Sequence, residues 1–171
     1  MTEGGACGDT KLKIMYKILF ICTDNICRSM TAEYLLRDYL AKNKRENIAV
    51  LSAGIDAGSD ISSYRMDHLD RLKEMGVDVS GHVRRQLMRE LLADCDLAIV
   101  MDEDQRAWVR ESFTVELPLY NEFYKGESVS LLVTPPGATA PIGERLVRMV
   151  DYIYESIPTV AARIDEYRTK K

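Results

Sequence analysis

Apolar and polar residues follow one another along the chain in blocks that predict alternating strands and helices. The segment YKILFI (16–21) is a short apolar run, as is typical of a strand buried on both faces of a sheet. From Ser29 to Leu40, apolar residues recur at the spacing of one helix face. IAVLSAG (48–54) predicts a second strand, and MDHLDRLKEMG (66–76) predicts a helix that its glycine ends. The first half of the chain therefore predicts the order strand, helix, strand, helix.

The second half of the chain continues this alternation. DLAIVMD (96–102) predicts a third strand, and EDQRAWVRESF (103–113) predicts the helix that follows it. TVELPLY (114–120) suits a short fourth strand, and residues 144–171 form a long amphipathic pattern that Pro158 can kink. Strands alternating with helices predict an α/β fold, a doubly wound parallel sheet of about four strands with helices on both faces.

Length, composition and charge restrict the class of protein. The 171 residues, 46% of them hydrophobic, suffice for one core, so we expect a single domain over 15–171 behind a disordered leader over 1–14. The formal net charge of −4 and the lack of a basic stripe argue against a nucleic-acid partner. No apolar run reaches the length of a membrane span, and the polar start does not resemble a signal peptide. We therefore expect a cytoplasmic protein with no membrane partner, no metal and no other cofactor; the oligomeric state stays open.

The polar segment CTDNICRS (22–29) lies between the first predicted strand and the first predicted helix. In parallel α/β sheets, ligands bind beyond the carboxyl ends of the strands. A loop that leads into a helix also presents several backbone N–H groups, backed by the positive end of the helix dipole, and so suits an anion. We therefore expect residues 22–29, the anion loop, to bind a negatively charged group. The substrate-binding residues expected in it are Thr23, Asp24, Asn25, Ile26 and Cys27.

Three side chains of the anion loop can act on a phosphate ester. Arg28 follows Cys22 after five intervening residues and can bind two oxygens of a tetrahedral oxyanion at once. The same positive environment favours the thiolate form of Cys22, which is the form that attacks phosphorus. The hydroxyl of Ser29 can donate to that sulfur and stabilise the thiolate, also when it leaves. We expect Cys22, Arg28 and Ser29 to be catalytic, with a cysteinyl-phosphate intermediate.

The segment ICTDNICRS (21–29) resembles the signature of the low-molecular-weight protein tyrosine phosphatases, whose usual form is V-C-x-G-N-x-C-R-S-P. The resemblance covers about residues 16–157. Three further segments fall in the family's order and spacing: LSAG (51–54), MGVDVSGHVRRQL (75–87) and CDLAIVMDEDQ (95–105). The resemblance implies Cys22 as the nucleophile and Arg28 as the phosphate clamp. The hydrogen-bond network that it implies around the loop consists of Asn25, Ser29, Ser52 and His82.

Three positions depart from the family's pattern. Asp24 replaces a glycine, which places a carboxylate beside a phosphate dianion and a side chain where glycine allows close approach. Met30 replaces the proline after the serine, a mild change at a helix start. Thr134 falls where the family carries the general-acid aspartate of an Asp-Pro pair, and threonine cannot protonate a leaving phenolate at neutral pH. The aromatic residues that usually frame the substrate ring are also replaced, by Pro136, Gly137 and, across the cleft, Gly58.

Two classes of function stay open. The first is a cysteine-dependent protein tyrosine phosphatase, acting on a phosphorylated protein or a small aryl phosphate, with activity weakened by Thr134. Ile26 favours an aryl phosphate over phosphoarginine, because related phosphoarginine phosphatases tend to carry threonine there. The second is a pseudophosphatase that binds phosphorylated partners without efficient turnover. An arsenate reductase is disfavoured, because that chemistry relays a disulfide through late cysteines and no cysteine follows Cys95.

Cys27 has two interpretations. By the family resemblance, it can trap an oxidised Cys22 as a reversible disulfide; equally, it is a small residue that faces the core. Cys95 leads into a predicted strand and is expected to be buried and inert, whereas Cys7 falls in the leader.

Overall fold

The structure is a computed structural model that describes residues 14–170. The predicted leader over 1–14 therefore lies outside the described residues except for Ile14, which is exposed, and so does Cys7. Between residues 14 and 170 the chain forms three strands and six helices. The strands are β1 (Tyr16–Cys22), β2 (Ile48–Gly54) and β3 (Leu97–Val100). The helices are α1 (Arg28–Lys42), α2 (Asp67–Glu74), α3 (Arg89–Ala93), α4 (Glu103–Phe113), α5 (Tyr120–Lys125) and α6 (Ile142–Thr169).

The three strands form a parallel sheet in the order β2-β1-β3, with β1 in the centre. At the carboxyl end of β1, Cys22 is paired with Gly54 of β2, and Ile21 is paired with Val100 of β3. The segments that leave the three strands therefore begin side by side. This edge of the sheet is where a ligand of a doubly wound fold binds.

Side chains of β1 point alternately into two hydrophobic layers, as the pleat of a strand requires. Ile18 and Phe20 belong to the layer that contains apolar residues of α1 and α6, whereas Leu19 and Ile21 belong to the layer that contains Val109 of α4. All four side chains of β1 are fully buried. The prediction of an α/β doubly wound fold with helices on both faces is confirmed.

The predicted fourth strand over 114–120 is reduced to one isolated bridge between Val100 and Leu119. The Val100 N–H donates to the Pro118 carbonyl at 3.1 Å. Pro118 has no N–H of its own to extend a ladder, and α5 begins at Tyr120, directly after the bridge. The sheet therefore has three strands in the described part of the chain, not about four.

The predicted helices over 66–76, 103–113 and 144–171 correspond to α2, α4 and α6. After α2, Gly76 adopts a φ of 78°, a left-handed conformation that ends the helix. Helix α6 runs without interruption through Pro158, which is exposed. No helix among residues 14–170 is both long and apolar enough to cross a membrane.

Candidate active site

The anion loop leaves β1 at Cys22 and enters α1 at Arg28, so strand and helix fix both of its ends. Its path runs close to the end of β2: a Cβ added to Gly54 would lie 2.5 Å from the Thr23 carbonyl oxygen and 2.9 Å from the Asn25 nitrogen. Both contacts are to backbone, which cannot rotate away as a side chain can. Only glycine therefore fits at the end of LSAG if the loop keeps its path.

All six carbonyl groups from Cys22 to Cys27 accept a hydrogen bond from surrounding segments. In chain order, their donors are the Ile55 N–H (3.0 Å), the Asp56 N–H (2.9 Å), Arg84 Nε (2.7 Å), His82 Nε2 (2.7 Å), His68 Nε2 (2.7 Å) and the Thr31 N–H (2.9 Å). The peptide bonds are trans, so each carbonyl points opposite to the N–H of the next residue. The amides of residues 23–28 therefore point away from these donors. None of them donates a hydrogen bond within residues 14–170, which leaves six free donors for an anion.

Cys22 is 2% exposed, and its sulfur lies 2.9 Å from the Ser29 hydroxyl oxygen. The Asn25 Nδ2 group donates to that same oxygen at 3.0 Å, so the hydroxyl proton of Ser29 is free to point at the sulfur. Asn25 is fully buried and has a φ of 54°, a left-handed conformation that asparagine tolerates better than most residues. The loop thus holds a hydrogen-bond donor directly on its thiol.

A chain of polar groups continues behind Asn25. Its Nδ2 group also donates to the Ser52 hydroxyl at 2.8 Å, and Ser52 in turn donates to the buried carboxylate of Glu33. The Asn25 Oδ1 atom accepts from the Arg85 N–H at 2.7 Å. Hydrogen bonds with Ser29, Ser52 and Arg85 thus fix the side chain of Asn25, and Asn25 in turn fixes the Ser29 hydroxyl beside Cys22. The structure therefore brings together the four residues that the family resemblance grouped. His82 joins the other three through its hydrogen bond to the Asn25 carbonyl.

The guanidinium of Arg28 is positioned from one side only. Its Nη1 atom donates to Asp102 Oδ2 at 2.7 Å and to the Leu131 carbonyl at 2.8 Å. Burial by itself lowers the pKa of Arg28, but the negative charges of Cys22 and Asp102 outweigh it and raise the pKa above its ordinary value. Nε and Nη2 form no hydrogen bond within residues 14–170, and these are the two atoms that can hold two phosphate oxygens.

The carboxylate of Asp24 interacts with the segment that follows β2. One oxygen accepts a hydrogen bond from the Ser59 hydroxyl, and the other accepts from the Tyr64 hydroxyl at 3.3 Å. Arg84 holds the same region, with Nη2 2.6 Å from the Ser59 hydroxyl oxygen and Nη1 2.8 Å from the Ser59 carbonyl. The Asp24 side chain thus fastens the anion loop to the segment that follows β2, and Arg84 joins the same two segments through the Asp24 carbonyl and Ser59.

A cleft of about 460 Å³ borders the anion loop. Thr134 is exposed on its opposite wall, and Asp24 is the only carboxylic acid among the lining residues. Gly58, where the family often carries an aromatic residue, has open space around it, but the exposed ring of Tyr64 lines the cleft instead. The lining residues are Asp24, Ile26, Cys27, Arg28, Ser63, Tyr64, Arg65, His68, Val133, Thr134, Ile142 and Leu146.

The second cysteine of the loop, Cys27, packs partly buried against the core. Burial, together with the charge of Cys22, raises the pKa of Cys27 to about 12. A thiol in this state is a poor nucleophile and forms a disulfide slowly. Cys95 is only partly buried, not buried as expected, and its burial raises its pKa to about 11. Both interpretations of Cys27 stay open, but its environment favours the core-facing one.

Among the side chains that contact the loop, the sequence analysis missed Asp102, Arg84 and His68, and also Ser59, Tyr64 and Gln105. A signal existed for Asp102, because it lies two residues after the end of β3 and the ends of parallel neighbours meet at one edge. Asp102 also caps α4 by accepting from the Gln105 N–H at 2.9 Å. Arg84 and His68 contact carbonyls 60 and 42 residues away along the chain, and no local pattern predicts such contacts.

Within residues 14–170, no group of three or more histidine, cysteine, aspartate or glutamate side chains could hold a metal ion. The donors around the anion loop are amides, a guanidinium and a hydroxyl, which suit an oxyanion.

Comparison with known proteins gives the same family as the motif. The family model for the low molecular weight phosphotyrosine protein phosphatases matches residues 17–125. The low molecular weight protein-tyrosine-phosphatase Ptp of Acinetobacter johnsonii is 36% identical over 98 residues, which are 56% of this chain and 63% of that protein. Wzb of Escherichia coli K12, also a low molecular weight protein-tyrosine-phosphatase, is 36% identical over 86 residues, 50% of this chain and 54% of that protein. The chain thus spans less than two thirds of the length of these two curated relatives.

A solved structure extends the likeness of fold over most of the chain. The YwlE arginine phosphatase of Geobacillus stearothermophilus matches with a TM-score of 0.72 and 26% identity, covering 91% of this chain and 96% of that one. The family model covers well over half of the 171 residues, including the whole anion loop, Ser52, His82 and Asp102. The chain belongs to the low molecular weight phosphotyrosine protein phosphatase family.

Proposed function

We propose that the protein is a cysteine-dependent phosphomonoesterase that acts on aryl phosphates, with phosphotyrosine in proteins as its substrate class. One observation carries the proposal: the Ser29 hydroxyl lies 2.9 Å from the Cys22 sulfur, in a loop that leads into Arg28 and leaves the six amides of residues 23–28 without a partner within residues 14–170. A buried thiol with a hydrogen-bond donor at an anion site suits nucleophilic attack on phosphorus.

In the first step, the phosphate dianion of the ester binds to the amides of residues 23–28 and to Nε and Nη2 of Arg28. The Cys22 thiolate attacks phosphorus, an S–P bond forms, and the bond from phosphorus to the ester oxygen breaks. That oxygen leaves with the electron pair and needs a proton. Thr134 cannot supply one, so the proton comes from solvent.

In the second step, water attacks the phosphorus of the cysteinyl-phosphate and loses a proton to solvent. The S–P bond breaks, and the electron pair returns to the sulfur. The Ser29 hydroxyl donates to the leaving thiolate and stabilises it, while Arg28 and the amides hold the phosphate until it is released as inorganic phosphate. Asp102 holds the Arg28 guanidinium in place through its ion pair.

The cleft supports an aryl leaving group. Tyr64 presents an exposed ring on one wall, and Val133, Ile142 and Leu146 add apolar surface around Thr134. Ile26 adds apolar surface at the loop itself and favours an aryl phosphate over phosphoarginine. The relative from Acinetobacter johnsonii is a protein-tyrosine-phosphatase, whereas one structural relative is an arginine phosphatase. Phosphoarginine is therefore the matching comparison substrate.

A second candidate is a pseudophosphatase, which binds phosphorylated partners in the intact loop without efficient turnover. The observation that favours it is the cleft wall, where Thr134 offers no acid and both oxygens of Asp24 already accept hydrogen bonds.

The cytoplasmic location stays a prediction.

The test is turnover of p-nitrophenyl phosphate, phosphotyrosine peptide and phosphoarginine by the wild type and by Cys22→Ser. We expect turnover of the two aryl esters by the wild type, none by Cys22→Ser, and phosphate binding by both proteins. Equal turnover in wild type and variant would exclude Cys22 as the nucleophile. Phosphate binding without turnover of any ester would decide for the pseudophosphatase.

A further inference from the structure

His68 lies at the second position of α2 with its ring 1% exposed, and its Nε2 atom is 2.7 Å from the Ile26 carbonyl oxygen. A carbonyl only accepts, so Nε2 carries the proton of this contact. Nδ1 is buried and has no partner within residues 14–170. Burial lowers the pKa of His68, in keeping with a neutral imidazole whose Nδ1 is an unpaired acceptor.

The Ile26 carbonyl belongs to the same peptide unit as the Cys27 N–H. Because this peptide is trans and planar, holding the carbonyl toward His68 turns the Cys27 N–H the opposite way. His82 does the same for the preceding unit through the Asn25 carbonyl at 2.7 Å. The two imidazoles thus orient two consecutive amides of the anion loop from two separate segments of the chain.

Packing alone does not account for a histidine at this position. An apolar side chain of similar volume would fill the same space and avoid the cost of the unpaired Nδ1 atom, but it would leave the Ile26 carbonyl without its donor. The imidazole brings one useful group, the Nε2–H on the Ile26 carbonyl. The next carbonyl along, that of Cys27, already bonds within the first turn of α1, so His68 holds the last peptide unit before helix geometry takes over.

We infer that His68 is a positioning residue of the anion loop: its Nε2–H holds the Ile26 carbonyl so that the Cys27 amide faces the bound phosphate. The effect on catalysis rests on the proposed function, whereas the effect on oxyanion binding does not. His68 need not touch the substrate for this role, although its ring borders the cleft beside Ile26 and Arg28.

The experiment compares His68→Met, which deletes the donor, with His68→Gln, whose amide N–H can reach the same carbonyl. Lys73→Met places the same new side chain on an exposed position of α2 and serves as the control. Three quantities are measured: the Kd of inorganic phosphate and of vanadate by calorimetry, kcat and KM for p-nitrophenyl phosphate, and the amide chemical shift of Cys27 on phosphate titration.

We expect His68→Met to weaken phosphate binding by about tenfold, the effect of one misdirected hydrogen bond to a charged group. The phosphate-induced shift of the Cys27 amide should shrink in that variant. His68→Gln should keep phosphate Kd within about threefold of the wild type, because its amide replaces the lost donor. Lys73→Met should behave as the wild type.

The inference would be overturned if a folded His68→Met binds phosphate as tightly as the wild type. It would also be overturned if His68→Gln, at unchanged Tm, loses as much phosphate affinity as His68→Met. If His68→Met does not fold, the Cys27 shift and the phosphate Kd of His68→Gln decide alone, and a Gln variant without the shift overturns the inference. A wild type that binds phosphate but turns over no ester refutes the proposed function and leaves this test intact. A wild type that binds neither oxyanion overturns both.

Discussion

The two sides of the cleft differ in how completely hydrogen bonds fix their residues in place. On the side of the anion loop, every carbonyl from Cys22 to Cys27 has a donor, and Asn25, Ser29 and Arg28 each have defined partners. On the opposite side, Thr134 is exposed and forms none of the hydrogen bonds found within residues 14–170. On the proposed function, the groups expected to bind phosphate and form the S–P bond are therefore held in place, whereas Thr134 offers no acid to protonate the leaving oxygen.

This difference separates two tasks that a phosphatase usually performs together. Transition-state stabilisation on the loop depends on fixed dipoles and the Arg28 charge. Proton delivery depends on an acid within reach of the ester oxygen. Variants on the loop should therefore change phosphate binding and the rate for every ester, whereas variants on the Thr134 wall should change only the rates of esters with poor leaving groups.

The largest effect is expected from Arg28→Lys. An ammonium cannot bind two oxygens at once or keep the contacts to both Asp102 and Leu131, so phosphate binding and kcat/KM should fall by about 10²–10³. Arg148→Lys, at an exposed position of α6, is the control. If Arg28→Lys keeps the wild-type phosphate Kd, Arg28 does not bind the anion.

The second-largest loss of activity is expected from Gly54→Ala. The new methyl group would meet the Thr23 carbonyl and the Asn25 nitrogen, so the loop must move, and a displacement of this order costs about 10² in rate. Gly58→Ala is a matched control, because nothing lies within 4 Å of a Cβ added there. Steady-state kinetics on p-nitrophenyl phosphate measures both. Equal activity of the two variants would mean that the path of the loop does not matter.

Substitutions of Asp24 should have smaller effects on phosphate binding, and they should strengthen it rather than weaken it. Asp24→Asn keeps one acceptor oxygen, which can serve Ser59, and presents an NH2 group toward the Tyr64 hydroxyl. It also removes a charge near the dianion, so phosphate should bind about two- to fivefold more tightly. Asp24→Gly also removes the hold on Tyr64, so the preference for aryl over alkyl phosphates should decline. If both variants bind phosphate as the wild type does, the charge of Asp24 is fully compensated through Ser59 and Arg84.

The smallest effect concerns stability. The pKa of His68 is lowered in the folded protein by burial, so the unfolded chain binds more protons below its ordinary value of about 6.5. The contribution of His68 to the free energy of unfolding is therefore complete above that pH and is lost as pH falls, by at most about 1.4 kcal/mol per pH unit. Urea unfolding between pH 5 and 8 should show a weaker pH dependence in His68→Gln. An unchanged slope would mean that His68 titrates alike in both states.

Local patterns predicted the parts of the molecule that depend on neighbours in sequence. The apolar run of β1 predicted a buried central strand, and contiguity alone brought Cys22, Arg28 and Ser29 to one loop. The prediction of a fourth strand was wrong because Pro118 and the start of α5 prevent a ladder of backbone hydrogen bonds. The proline in the sequence already argued against a strand there. Contacts such as Arg84 to Asp24 depend on tertiary packing across 60 residues, which no spacing rule reveals.

The central claim is that the binding half of the site is complete and the proton-delivering half is vacant. It is tested most directly by the dependence of kcat/KM on the pKa of the leaving group, measured over a series of substituted phenyl phosphates for the wild type and Thr134→Asp. A steep dependence is predicted for the wild type, because the leaving oxygen departs without a proton. Thr134→Asp should flatten it, raise the phosphotyrosine rate by about 10–10³, and add a basic limb to the pH profile as the new acid ionises. A shallow dependence in the wild type, unchanged in Thr134→Asp, would contradict the account and show that another group already supplies the proton.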